Sequence, residues 1–236
     1  MTAADIRSIL EASGSARAAL FALRFFKTGP GQYGEGDRFR GIRVPVLRKL
    51  APSLDGVQME ELLHLLASEF HEDRLLALLM LMRRYARGDE QLRGEIYRIY
   101  LDNTRFINNW DLVDVTAGHI VGKHLRHRDR TPLYTLARSE SLWERRIAIV
   151  ATFHFIRNGE FSDTMLLAEQ LLRDPEELIH KATGWMLREV GKREQGALEA
   201  FLLRHCRTMP RVMLRYAIER LPEAQRQLYL KGELGS

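Results

Sequence analysis

The sequence predicts an all-α fold built as a solenoid of stacked helix pairs, on three observations. After residue 42, compact apolar runs bounded by polar, Gly or Pro breaks recur, as at 75–84, 147–156 and 182–190. Alternating patterns of the strand type are almost absent. Comparable helices also return at a near-constant interval. Arg74 in EDRLLALL, Trp110 in NNWDLVDV, Arg146 in ERRIAIVA, Lys181 in HKATGWML and Arg211 in PRVMLRYA stand 36, 36, 35 and 30 residues apart. A helix pair of that length cannot bury its apolar face alone, so neighbours stack and one helix of each pair lines an inner, concave surface. The marker positions are expected to share that surface.

Along the chain, the N-terminal stretch carries Asp5 and Glu11 in a helix-like pattern, without the charged and apolar regions of a signal peptide. Segment 28–43, TGPGQYGEGDRFRGIR, holds five glycines and a proline and is expected to be a loop or a short β-hairpin. Pro210 is expected to start a new helix and to break the apparent stripe Arg204, Arg207, Arg211 and Arg215. Residues 1–236 are expected to form one helical-repeat domain.

Composition sets limits. With 45% hydrophobic and 28% charged residues the chain is an ordinary globular one. Its formal net charge is +5, and 30 of its 36 basic residues are arginine, whose planar fork fits phosphate oxygens and stacks on aromatic rings. A pI near 9.5 points towards an anionic polymer. Cys206 is the only cysteine, which excludes an intrachain disulfide and fits a reducing, cytoplasmic location. No apolar run approaches the roughly 18 residues that span a bilayer. His119, His124 and His127 lie near Asp129, but without HExxH or a cysteine pair, so no metal is expected; exposed histidines in a basic stretch are. GPGQYGEGD lacks the GK[ST] ending of a phosphate-binding loop.

The chemistry concentrates in Asn108-Asn109-Trp110-Asp111-Leu112-Val113-Asp114. Helical spacing puts Trp110 and Asp114 on one face, followed by Ala117, Gly118 and Val121, which are too small to bury an indole and a carboxylate. An aromatic plate beside a carboxylate suits a flat cationic partner; the structural alternative is a core tryptophan with Asp111 or Asp114 favouring a helix N-terminus. Lys181, Trp185, Arg188 and Lys192 follow one continuous helical stripe, which either faces a polyanion or snorkels from a core edge. Of the adjacent Arg145 and Arg146, the second holds the marker position and is expected inward. Arg145 is expected to pair on the surface with Glu144 or Glu140.

Three stretches, NNWDLVDV, LWERRIAIVATFHFIRNGEF and LIHKATGWMLREVGKRE, resemble the HEAT-like-repeat DNA alkylation-repair family, the AlkD-type DNA glycosylases, over roughly residues 15 to 220. The resemblance implies a right-handed α-solenoid of HEAT-like helix pairs, with a basic concave face that grips duplex DNA. It implies excision of N3- or N7-alkylated purines, with no cofactor, by a chain acting as a monomer. By motif position, Asp114, Trp110, Arg146 and Trp185 match the family's site residues. Asp114 would stabilise the developing oxocarbenium ion or position water, the tryptophans would lie against the nucleotide, and Arg146 would hold a phosphate. Lys181, Arg188 and Lys192 would add DNA contacts.

Segment 28–43 departs from the best-known excising members and resembles a branch carrying an inserted N-terminal loop or hairpin, whose members look more like binders of branched or distorted DNA. There, Lys27, Arg38, Arg40 and Arg43 around Tyr33 would form a basic finger for a groove or junction; a solvated loop balanced by Glu35 and Asp37 is the alternative. Asn108 and Asn109 replace bulkier residues of some members. Three readings follow: an alkylpurine glycosylase, a non-catalytic binder of branched DNA, and a protein-binding scaffold, against which the basic stripe argues.

Overall fold

A computed structural model of the chain describes residues 1–233. Among them all regular structure is helical, and strand-type pairing is limited to one isolated parallel bridge between Arg38 and Phe70. The all-α expectation holds. The chain forms two compact units, Met1–Leu112 and the part from Val113 onward.

The first unit contains α1 (Ala3–Ala12), α2 (Ala16–Phe25), α3 (Val44–Leu50), α4 (Met59–Leu66), α5 (His71–Arg87), α6 (Glu90–Asp102) and the start of α7 (Trp110–Thr116). Thr2 and Asp5 close a capping box on α1, whose Ile6 and Leu10 are buried one turn apart. α5 is the core of this unit and is buried along its whole first part, from His71 to Leu81. Its apolar residues explain that burial, but its first four residues, His-Glu-Asp-Arg, are buried too and therefore demand partners.

Segment 28–43 supplies them. The Glu72 carboxylate accepts the backbone N–H groups of Arg40, Gly41 and Ile42 at 2.9, 2.8 and 3.1 Å. The Arg38 carbonyl accepts from His71 N–H at 2.8 Å. Gly41, at φ +77°, approaches α2 so closely that a Cβ would stand 2.2 Å from the Ser15 carbonyl oxygen. The loop alternative is realised and the hairpin is not, because the segment's backbone groups bond to the start of α5 rather than to one another as a ladder.

The second unit contains the rest of α7, a π-helical turn at Gly118–Gly122, α8 (Lys123–Leu125), α9 (Thr131–Leu136), α10 (Leu142–Ala151), α11 (Phe153–Ile156), α12 (Ser162–Gln170), α13 (Glu177–Gly191), α14 (Gln195–His205), α15 (Arg211–Ala217) and α16 (Glu223–Lys231). Helix α13 is its centre and packs on α10, α14 and α15. Leu187, Leu198, Phe201, Met213 and Leu214 form the apolar core between α13, α14 and α15. Pro210 precedes α15, as expected.

The five marker residues fall on five separate helices, α5, α7, α10, α13 and α15. The interval is written a second time in ion pairs. Arg40 reaches Asp73 across 33 residues, Arg130 reaches Asp163 across 33, Arg146 reaches Asp114 across 32 and Arg145 reaches Asp174 across 29. Much of the arginine excess therefore joins one repeat to the next inside each unit. No described helix is long and apolar enough to cross a membrane.

Candidate active site

In the second unit, Asp114 on α7 meets Arg146 on α10. Arg146 Nε donates to Oδ1 and Nη2 to Oδ2, both at 2.8 Å, and Nη1 donates to the Leu178 carbonyl at 2.6 Å. The guanidinium is buried, and the carboxylate keeps 18% of its side-chain surface. A fork-to-carboxylate pair of this kind fixes the carboxylate plane as well as its place. Arg146 is buried, and its donors go to Asp114 and Leu178 rather than outward to an anion. The adjacent Arg145 is not a loose surface residue. It binds Asp174 at 2.6 Å and the Ser139 and Glu140 carbonyls, because neighbouring positions on a helix face different elements.

Trp185 sits on α13 with its ring tilted against Phe153 at 5.9 Å. The stripe around it is present, and every cation on it meets a carboxylate: Lys181 with Glu177 at 2.5 Å, Lys192 with Glu189 at 2.5 Å, and Arg188 with Glu219. Nearby, His154 is driven down to about 4 by burial and by Arg126, Lys123, His119 and Arg157, so its own imidazole stays uncharged among these cations. Of the three histidines read as exposed, His119 and His127 are, whereas His124 is buried. No cluster of metal-ligating side chains occurs among the described residues.

In the first unit, Trp110 is neither open on both faces nor fully buried. Its ring stacks on Phe26 at 5.4 Å and meets Phe25 edge-on at 5.8 Å. Phe26 continues the stack onto His71 at 5.0 Å, and Phe39 packs on both Phe26 and His71, at 5.1 and 4.8 Å. The His71 imidazole places Nε2 2.8 Å from Asp111 Oδ2 and Nδ1 3.5 Å from Asp37 Oδ2. Asp37 also accepts from Arg74 Nη2 at 2.7 Å and from the amides of Asn108 and Asn109. Asn109 in turn accepts the Trp110 N–H at 2.8 Å.

The charges of this network support one another. Burial works against a charged His71, but its hydrogen bond to Asp111 and the Asp37 carboxylate 3.5 Å from Nδ1 prevail and raise it to about 9. Burial likewise opposes ionisation of Asp37, yet His71, Arg74 and Asn109 together hold it below the usual carboxylate range. Sequence reasoning missed this cluster. Its signal was four polar residues opening an otherwise apolar helix, together with two asparagines before the tryptophan.

The basic finger is only partly present. Lys27, at φ +52°, and Arg43 are exposed. Tyr33 is half-buried, with its hydroxyl 3.5 Å from the Phe25 carbonyl. Arg38 is exposed, pairs with Glu69 at 2.7 Å and lies over Phe70. Arg40 is withdrawn. Its Nε and Nη2 bind Asp73 at 2.7 and 3.1 Å, it pairs with Glu11, and its guanidinium stacks 3.9 Å from the Phe70 ring centre. Asp37, read as balancing charge in solvent, is buried instead.

Residues 6–221 match a family model described as DNA alkylation repair enzyme. A solved structure described as a predicted DNA alkylation repair enzyme from Enterococcus faecalis shares the fold. It is 17% identical, with a TM-score of 0.68, over 89% of this chain and 98% of that one. No curated protein is significantly similar to the chain.

Proposed function

The chain belongs to the DNA alkylation repair enzyme family, and we propose that it hydrolyses the N-glycosidic bond of N3- or N7-alkylated purines in duplex DNA. The observation that carries this reading is the Asp114 carboxylate, held in one plane by the buried Arg146 while 18% of its side-chain surface stays accessible. Alkylation at N3 or N7 leaves the purine positively charged. When the C1′–N9 bond breaks, the bonding pair neutralises the base, which departs without a general acid. The sugar is left as an oxocarbenium ion. Each Asp114 oxygen accepts one bond from Arg146, which keeps the group ionised and fixed. The negative charge of the carboxylate stabilises the sugar cation, and the group takes the proton of the water that adds to C1′.

Arg146 acts in this reading as a positioning residue rather than as a phosphate clamp. Trp110 and Trp185 each contribute an aromatic face that attracts a cationic nucleotide. Lys181, Arg188, Lys192, Lys27, Arg38 and Arg43 supply charge for backbone phosphates, and those now paired with carboxylates exchange them for phosphate on binding. Arg40 and Tyr33 belong to the anchoring of the loop.

The test is free-base release from duplex DNA methylated at purine N3 and N7, with Asp114→Asn alongside. Release that depends on Asp114 supports the proposal. Failure of the unmodified chain to release base, with DNA binding intact, would leave a DNA-binding member of the family without excision.

A further inference from the structure

Helix α2 (Ala16–Phe25) has no buried residue. Leu20, Phe21 and Phe25 are 65, 70 and 52% exposed, an unusual accumulation of apolar surface on one short helix. Phe21 and Phe25 stand one turn apart with ring centres 6.0 Å apart and planes at 17°. Phe25 then meets Trp110 edge-on, so an aromatic ladder runs from solvent to the tryptophan already assigned to the nucleotide.

The charge on this helix is one-sided. Arg17, Arg24 and Lys27 are exposed, and no acidic residue occurs between Glu11 and Glu35. At helical spacing, Arg17, Phe21, Arg24 and Phe25 fall on one face, with the cations set among the rings rather than opposite them. That arrangement separates the possible occupants. A helix lying on a membrane segregates its cations to the polar side. A second copy of the same face would bring arginine against arginine. Unpaired nucleotides match it, since bases stack on aromatic rings while the intervening phosphates take the guanidinium groups.

We propose that α2 is a binding ladder for unpaired bases in DNA, with Phe21 and Phe25 as stacking rungs and Arg17, Arg24 and Lys27 as phosphate contacts. The proposal rests on the DNA-binding reading above and adds a substrate class to it: DNA whose duplex is interrupted or opened beside the site of action.

The experiment compares two fluorescein-labelled duplexes, one continuous and one with a short single-stranded gap, by anisotropy with the full chain. The gapped duplex is expected to bind more tightly. Phe21→Ala is expected to weaken it about tenfold, the loss of a single base stack, while leaving the continuous duplex unchanged. Arg17→Glu is expected to weaken the gapped duplex independently, and an unchanged melting curve shows that both exposed variants remain folded. Equal affinity of the unmodified chain for both duplexes, unaffected by Phe21→Ala, would overturn the ladder while leaving the glycosylase reading intact. Self-association that disappears with Phe21→Ala would also overturn it, making the face a contact between copies. Failure to bind either duplex would overturn both readings together.

Discussion

Arg146 and Asp114 join two helices of the second unit through two parallel hydrogen bonds, each 2.8 Å long, between residues 32 positions apart. The pair makes the carboxylate a fixed group, since any rotation about its side-chain bonds breaks both contacts. It also explains why an arginine at the marker position is buried in a chain so rich in exposed ones.

The first prediction concerns this pair. Asp114→Asn keeps one acceptor for Arg146 but removes the negative charge. Single-turnover base release is expected to slow by about 10²–10³-fold, as for the loss of one charge-stabilising group. Arg146→Lys cannot form the fork; it is expected to reduce kcat while leaving the KM for methylated duplex nearly unchanged. A rise in KM alone would instead mean that Arg146 contacts DNA.

A second prediction follows from His71. Its folded value near 9 lies above the ordinary imidazole range, so its stabilising contribution is complete below about pH 6.5 and is lost as the pH rises towards 9. Urea unfolding of the first unit is expected to weaken across that window, by on the order of 3 kcal/mol. His71→Phe should flatten the profile. Asp37 has the opposite sign: its value is depressed, so its contribution is present above about pH 4 and fades as the pH falls below that. A pH profile unaltered by His71→Phe would remove the charged imidazole from the account.

The two arginines of the glycine-rich loop give a third. The Arg40 side chain is buried against Asp73, which is itself wholly inaccessible, and removing it leaves that carboxylate only Ser68 at 2.8 Å and the more distant Arg7 at 3.7 Å. Arg40→Ala is expected to destabilise the first unit by about 3–5 kcal/mol. Arg38→Ala, two residues away, breaks only an exposed pair and is expected to change stability by less than about 1 kcal/mol. Comparison of the two denaturation midpoints is sufficient.

Gly122 provides the fourth. A Cβ there would stand 2.0 Å from the Ala151 carbonyl oxygen, at the end of α10. Backbone cannot yield as a side-chain tip can, so Gly122→Ala is expected to cost at least about 1–3 kcal/mol, read as a lowered melting temperature. Gly94→Ala meets nothing within 4 Å and lies within α6. There the substitution is expected to be neutral or mildly stabilising.

The helices that carry the interval, the loop at 28–43 and the break at Pro210 were legible because each depends on neighbours within a few residues. Apolar spacing, glycine content and the missing proline N–H act locally. The burial of Arg146 against Asp114 was not legible, and neither were the pairing of Arg145 with Asp174, the burial of Asp37 and the Arg40 side chain, or the stacking of Trp110 on Phe26.

The sequence by itself determined that the chain is helical, that its helices repeat, and that Trp110 and Asp114 stand one turn apart in a family motif. Tertiary structure alone decided which charges face water. Arg38 and Arg40 have the same chemistry and nearly the same neighbours in sequence, yet one is exposed and the other buried, because packing buries the Asp73 that meets Arg40 and leaves the Glu69 that meets Arg38 in water. Local patterns fix backbone conformation, whereas the cost of burying a charge depends on what packing brings to it.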